Sequence, residues 1–222
     1  MSDLRAAFVI DYQNVHLTGA GLFEPHQPPH EHLVHPLHYA NRIVGCRNQR
    51  QRPGFPHAAV TKVLVYRGLP SADTDPRSYG RNLAQRAEWE LDSRVRVTHR
   101  PLRYKYHHDG NGRKATDQQG RWLTIGKPQE KGIDVLVALA VIREARDPDI
   151  DLVILCSQDT DLEPSLHEAL TLASAKIETA SWFDPKSPQS SHEIRPAGGM
   201  RIWNTRLGAM DFAACRDSKV YP

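Results

Sequence analysis

Cysteine is scarce in this 222-residue chain: Cys46, Cys156 and Cys215 are odd in number, far apart and without a Cys-x-x-Cys spacing. That argues against a disulfide framework and a thiolate zinc site, and fits a reducing compartment. Long apolar runs are missing too, so no stretch approaches the ~20 residues of a membrane-spanning helix. Residues 1–17 lack the basic start and long apolar core of a signal peptide. The expected setting is therefore the cytoplasm, with no membrane partner. No low-complexity block or linker divides the chain, and its length suffices for a substantial core. A single domain over 1–222 is expected, with insertions at about 18–36 and 100–127. Neither charge sign is in large excess: a formal +3 with a pI near 8.8 says little by itself about nucleic acid.

What the chain does have is acids at the ends of apolar runs. Phe8-Val9-Ile10 leads into Asp11, with Asn14 three residues on, and Leu152 to Ser157 leads into Asp159 and Asp161. A buried strand that stops at an acid puts a carboxylate at the carboxyl edge of a sheet, where open α/β folds bind ligands. Between the two lies Lys131-Gly132-Ile133-Asp134, opening an apolar stretch to Ile142. Clustered carboxylates are hard oxygen ligands, suited to magnesium or manganese.

The intervening sequence has a strand, helix, strand rhythm, which predicts a parallel sheet. Ala6 to Ile10, Val60 to Tyr66, Val95 to Thr98, Asp151 to Ser157 and Lys176 to Phe183 read as strands. Helices are expected over Leu37 to about Arg50, with Leu37, Ala40 and Val44 inward, and over Pro76 to Leu91, with Leu83, Ala87 and Leu91 inward. Lys131 to about Arg146 is apolar nearly all round and reads as a helix buried on most sides. Glu163 to Ala173 begins with Pro164 in its first turn, where a missing amide costs little, and Thr205 to Cys215 reads as a closing helix. Residues 18–36, rich in Gly, Pro and His, read as a loop, as does the Pro/Ser/Gly-rich stretch Asp184 to Gly199. Asp109-Gly110-Asn111-Gly112 predicts a turn joining Leu102–His108 to Trp122–Ile125 in a projecting hairpin.

That hairpin is locally basic. Arg100, Arg103, Lys105, Arg113, Lys114, Arg121, Lys127 and Lys131 stand against Asp109, Asp117 and Glu130, with Tyr104, Tyr106 and Trp122 interleaved. A charge run is often a solvated face, but basic groups with aromatics also suit single-stranded nucleic acid. Arg100, Arg103, Tyr104, Lys105 and Trp122 are the candidate nucleic-acid contacts. His26, His30, His32, His35 and His38 lie at irregular spacings without cysteine, which favours a solvated loop over a zinc site.

Asp11-Tyr12-Gln13-Asn14, Lys131-Gly132-Ile133-Asp134 and Ser157-Gln158-Asp159-Thr160-Asp161 together resemble the NYN family of PIN-like ribonucleases, over most of the chain in order and spacing. The resemblance implies a PIN-like three-layer α/β/α sandwich with a mostly parallel central sheet and an inserted β-hairpin. It also implies a metal-dependent ribonuclease, with Asp11, Asp134, Asp159 and Asp161 around magnesium or manganese; internal cutting is the expectation, with cutting from an end left open. Asn14 joins the catalytic set, and Ser157 and Lys131 support it. Gln158 stands where the family has glycine and Leu162 where an aromatic is common. The alternative is a PIN-like module that binds RNA or a protein without cutting; whether the chain forms a homo-oligomer is open.

The chemistry stands without the family. A phosphodiester repels hydroxide, and a metal held by carboxylates lowers the pKa of bound water and offsets phosphate charge. Each acid also has a purely structural reading: Asp159 or Asp161 as a helix cap, Asp134 at a helix dipole, Asp11 at a turn. A dinucleotide site is excluded because the first turn has no glycines. An aspartyl phosphotransferase is a weak rival, because position 13 is Gln rather than a second acid.

Overall fold

The computed structural model describes residues 2–187 and 192–221. An unbroken apolar run is stable only when covered on both sides. Ala6-Ala7-Phe8-Val9-Ile10 accordingly forms the middle of strand β1 (Leu4–Asp11), each residue at most 1% exposed. In chain order the other strands are β2 (Ala58–Leu69), β3 (Val95–Pro101), β4 (Arg103–Tyr106), β5 (Thr124–Gln129), β6 (Leu152–Cys156), β7 (Lys176–Trp182) and β8 (Trp203–Leu207). Six of them form one sheet, ordered β3-β2-β1-β6-β7-β8, with every neighbouring pair parallel. β4 and β5 pair antiparallel as a separate hairpin.

The helices are α1 (Tyr12–Phe23), α2 (Pro36–Gln49), α3 (Pro76–Trp89), α4 (Ile133–Ala145), α5 (Glu163–Leu172) and α6 (Ala209–Ala214). Alternation along β1 sorts them into layers. Ala6, Phe8 and Ile10 pack with Tyr12, Tyr39, Ile43, Trp89 and Phe212 of α1, α2, α3 and α6. Ala7 and Val9 pack with Val137 and Val141 of α4 and Leu166 of α5. The result is the expected three-layer α/β/α sandwich. Because β2 and β6 flank β1, the strand order reverses there and opens a crevice at the carboxyl ends of β1 and β6.

Several expectations are corrected. Residues 18–23 are helix, since α1 runs to Phe23; a Cβ on Gly19 would stand 2.7 Å from Phe212 and 2.9 Å from Trp182. Glycine there lets α6 approach α1, and does not break the helix. Leu83, Ala87 and Leu91 face solvent, whereas Asn82, Gln85 and Trp89 face inward. Burial of Trp89 against Tyr12, with its indole donating to Asp217 Oδ2 at 2.7 Å, sets the rotation of α3. α4 is not buried on most sides: Val135 and Leu139 are 61% and 57% exposed. Thr205 to Leu207 belongs to β8, whose alternate residues Thr205 and Leu207 are buried, and the helix starts only after Gly208. In the His-rich stretch, His32 is buried and its Nε2 meets Gln27 Oε1, so that loop is not wholly solvated. Of the Asp184–Gly199 loop, positions 188–191 lie outside the described residues.

The hairpin holds two turns where the sequence suggested one. Asp109-Gly110-Asn111-Gly112-Arg113 and Asp117-Gln118-Gln119-Gly120-Arg121 close in the same way. Each aspartate Oδ1 accepts from the amides two and four residues on, at 2.9 Å in all four cases. Gly112 and Gly120 take φ of 75° and 77°, which favours glycine. The first turn therefore returns the chain to Lys114, bridged to His108, and the second leads to Trp122, bridged to Thr116.

Candidate functional site

Asp11 ends β1 and caps α1: its Oδ1 accepts from Asn14 N at 3.2 Å and its Oδ2 from Ser157 Oγ at 3.1 Å. Ser157, buried just after β6, in turn accepts from Asp159 N at 3.1 Å, so one hydroxyl spaces the first and third acids. Asn14 Oδ1 accepts from Gln158 N at 2.8 Å, tying the loop after β6 to α1. Asp159 also caps the 3₁₀ turn Thr160–Leu162 through Asp161 N at 3.0 Å. The capping readings of Asp11 and Asp159 hold, and they coexist with a cluster: capping occupies only part of each carboxylate.

Asp134 arrives from the other face. Gly132 takes φ 76°, which turns the chain into α4, while Ile133 is buried and Asp134 falls in the first helical turn. A Cβ on Gly132 would also stand 3.2 Å from the Arg100 guanidinium, so the glycine admits that side chain beside the helix start. Lys131 is exposed. Oxygens of Asp11, Asp134 and Asp159 all lie within 4.8 Å of one another, the one group of metal-ligand type among the described residues. Asp161 is not in that trio, although its charge is felt at Asp134.

The electrostatics converge on Asp134. Burial, then the charges of Asp159 and Asp161, push its carboxyl up. Burial raises Asp11 to about 7, against the lowering by its Asn14 and Ser157 hydrogen bonds, with Asp134 and Glu130 adding to the rise. Such mutual repulsion is relieved by a cation. A donor set of carboxylate oxygens fits magnesium or manganese.

Gln158, which replaces the glycine common in the resembled family, has an ordinary backbone: among the described residues no non-glycine has positive φ. Its side chain accepts from Trp182 N at 2.9 Å and donates to His192 O at 2.7 Å. It clamps the loop to the end of β7 while leaving the acids in place.

Sequence reasoning missed Glu130, Arg67 and His16. Glu130 was counted only as a charge in the basic block, yet its charge reaches Asp11 and it accepts from Gly68 N. Arg67, the only ionic residue between Val63 and Leu69, was a visible signal at the end of an apolar strand. Its guanidinium lies 4.6 Å over Tyr12 and 5.5 Å over Trp89.

On the hairpin, Arg103 and Lys105 are exposed, whereas Tyr104 and Tyr106 alternate to the other face and are half-buried. The basic and aromatic residues are thus divided between faces. Ser71 N donates to Tyr104 Oη at 3.0 Å, seating the hairpin on the end of β2. Lys114 Nζ sits 3.9 Å from Tyr106 and 3.8 Å from Trp122, whose rings meet edge to face.

No protein-family model matches this chain, and no curated protein matches it. Among solved structures, a protein of unknown function from Vibrio parahaemolyticus is similar at 16% identity and a TM-score of 0.43, over 89% of this chain and 94% of that one. The architecture above rests on the chain's own geometry.

Proposed function

We propose that this chain is an NYN-type, metal-dependent endoribonuclease. The observation that carries the reading is the meeting of three carboxylates from three separate stretches, with oxygens within 4.8 Å, at the sheet's switch point. Asp11, Asp134 and Asp159 would hold magnesium or manganese, which when bound activates water and offsets phosphate charge. Ser157 and Asn14 fix the loop that carries Asp159, so the acids are spaced before substrate arrives. Asp161, exposed and with its charge felt at Asp134, is available to a second ion.

RNA is the proposed partner, gripped by Arg100, Arg103 and Lys105, with Tyr104 and Trp122 as the aromatic contacts elsewhere on the hairpin. The proposed compartment is the cytoplasm, in keeping with three buried free cysteines. No helix among the described residues is long and apolar enough to cross a membrane. The test is incubation with total RNA and manganese or magnesium, with end-mapping of the products. Metal-dependent internal cuts support the reading, whereas equal cutting in excess chelator overturns the mechanism. Tight RNA binding without cleavage would instead identify the non-cutting module.

A further inference from the structure

Beside the acids lies a cavity of about 280 Å³ lined by Tyr12, Gln13, His16, Arg67, Gly68 and Glu130. Tyr12 and Gln13 directly follow Asp11, and Glu130 stands four residues before Asp134. The acid trio leaves this cavity unused. We propose that it is a guanine-recognising subsite for a nucleotide next to the cleaved phosphate. The placement next to a cut rests on the ribonuclease reading; the base recognition does not.

The polar groups in the cavity are underused. The Arg67 side chain has five N–H donors, and the one hydrogen bond it makes among the described residues is Nη1 to Gln85 Oε1 at 2.7 Å. No carboxylate there forms an ion pair with it. His16 is 8% exposed, and its Nδ1 is buried with no partner. Burial and the Arg67 charge lower its pKa to about 4, so the ring is neutral and can accept as well as donate. Glu130 accepts from Gly68 N, and the Gln13 amide nitrogen, turned toward it, lies 2.8 Å from Oε1. Both contacts fall on Oε1, which leaves acceptor capacity on Oε2, 3.3 Å from the same Gln13 nitrogen.

Charge decides between a phosphate and a base. Arg67 and Glu130 feel one another and largely cancel, and the nearby acids repel any further anion. A neutral heterocycle with donors on one edge and acceptors on the next is the better match. Guanine offers N1–H and N2–H to a carboxylate and O6 with N7 to a guanidinium, the commonest bidentate base contact of arginine. Uracil has one donor, and adenine and cytosine one amino group each, so each leaves part of the Arg67 and Glu130 pairing unmet.

The test uses the full chain in excess chelator, titrated with GMP, AMP, CMP and UMP and followed by calorimetry. Tryptophan fluorescence is a second readout, since Trp89 lies beneath Arg67. GMP should bind about tenfold or more tighter than the other three, the scale of one bidentate base contact. Glu130→Gln keeps an oxygen for Gly68 N but replaces an acceptor with a donor, and should level the four affinities. Arg67→Lys should weaken GMP most. Because Arg67 packs on two rings, that variant is judged only if its melting matches wild type; otherwise Glu130→Gln decides. Equal affinities in wild type, no measurable binding, or an undiminished GMP preference in Glu130→Gln overturns the proposal. End-mapping with manganese separates the two readings. Cuts with no guanine at a fixed position overturn the subsite and spare the nuclease, whereas GMP preference without cleavage does the reverse.

Discussion

The acid edge of the sheet and the hairpin above it are both polar, but they are built in opposite ways. At the edge, Asp11 is 3% exposed, and the loops that carry Asp11 and Asp159 are tied to each other by hydrogen bonds through Ser157 and Asn14. On the hairpin, Arg103 and Lys105 make no ion pair among the described residues and lie exposed, while the turns are held by their own aspartates. The first arrangement holds carboxylates close together at the cost of burying the charge of Asp11. The second spends little on order and suits a partner of variable shape. The two regions are joined by the short link Glu130-Lys131-Gly132, and on the proposed reading they divide chemistry from grip.

The largest expected effect tests the acid edge. Asp159→Asn should cut RNA cleavage by about a hundredfold or more, the scale of a lost positioned catalytic group, with the fold unchanged by circular dichroism. Wild-type rates in that variant would remove the acids from the chemistry.

Next comes the cost of burying charge. An unfolded aspartate titrates near 3.9, and burial lifts Asp11 to about 7 in the folded chain. Because the folded pKa is the higher, metal-free wild type loses stability as pH rises from about 4 to 7 and stays lower above that. Asp11→Asn has no such charge, so it should match wild type near pH 4 and exceed it at pH 8, by up to about 4 kcal/mol. Manganese should raise the wild-type melting temperature at pH 8 and move Asp11→Asn less. Parallel pH profiles without metal, measured by urea unfolding, would show that Asp11 is not strained.

Smaller effects belong to the hairpin. Charge reversal at Arg103 and Lys105 should weaken RNA binding and flatten its salt dependence by about 1.4 in slope, for two single-strand phosphate contacts. Trp122→Ala should cost about 1 kcal/mol of affinity with the slope kept, since stacking carries no net charge. A slope change in the second variant and none in the first would dissolve the contrast between the two faces.

The sheet and its acids were legible because buried strands cannot hide their composition: residues 6–10 of β1 and all of β6 are continuous apolar runs, and Asp11 and Asp159 stand just past their ends. What was not legible depended on contacts between distant parts of the chain. Gly19 reads as a breaker until Phe212 and Trp182 are seen against it. The rotation of α3 follows from one tryptophan that outweighs Leu83, Ala87 and Leu91. Glu130 looks like one charge among many until Gly68, sixty-two residues earlier, donates to it. Asp161 matched the motif by sequence, yet the turn that Asp159 caps leaves it outside the trio.

The twin turns have a consequence for how this protein can be re-engineered. Tyr106 and Thr124 already face each other across the β4–β5 ladder, and the stretch between them satisfies its backbone largely within itself. Residues 107–123 are therefore an exchangeable cassette: a short turn can replace them, or a foreign recognition loop can be spliced in, without disturbing the parallel sheet. The tip of the hairpin can therefore change in sequence and length independently of the acid edge.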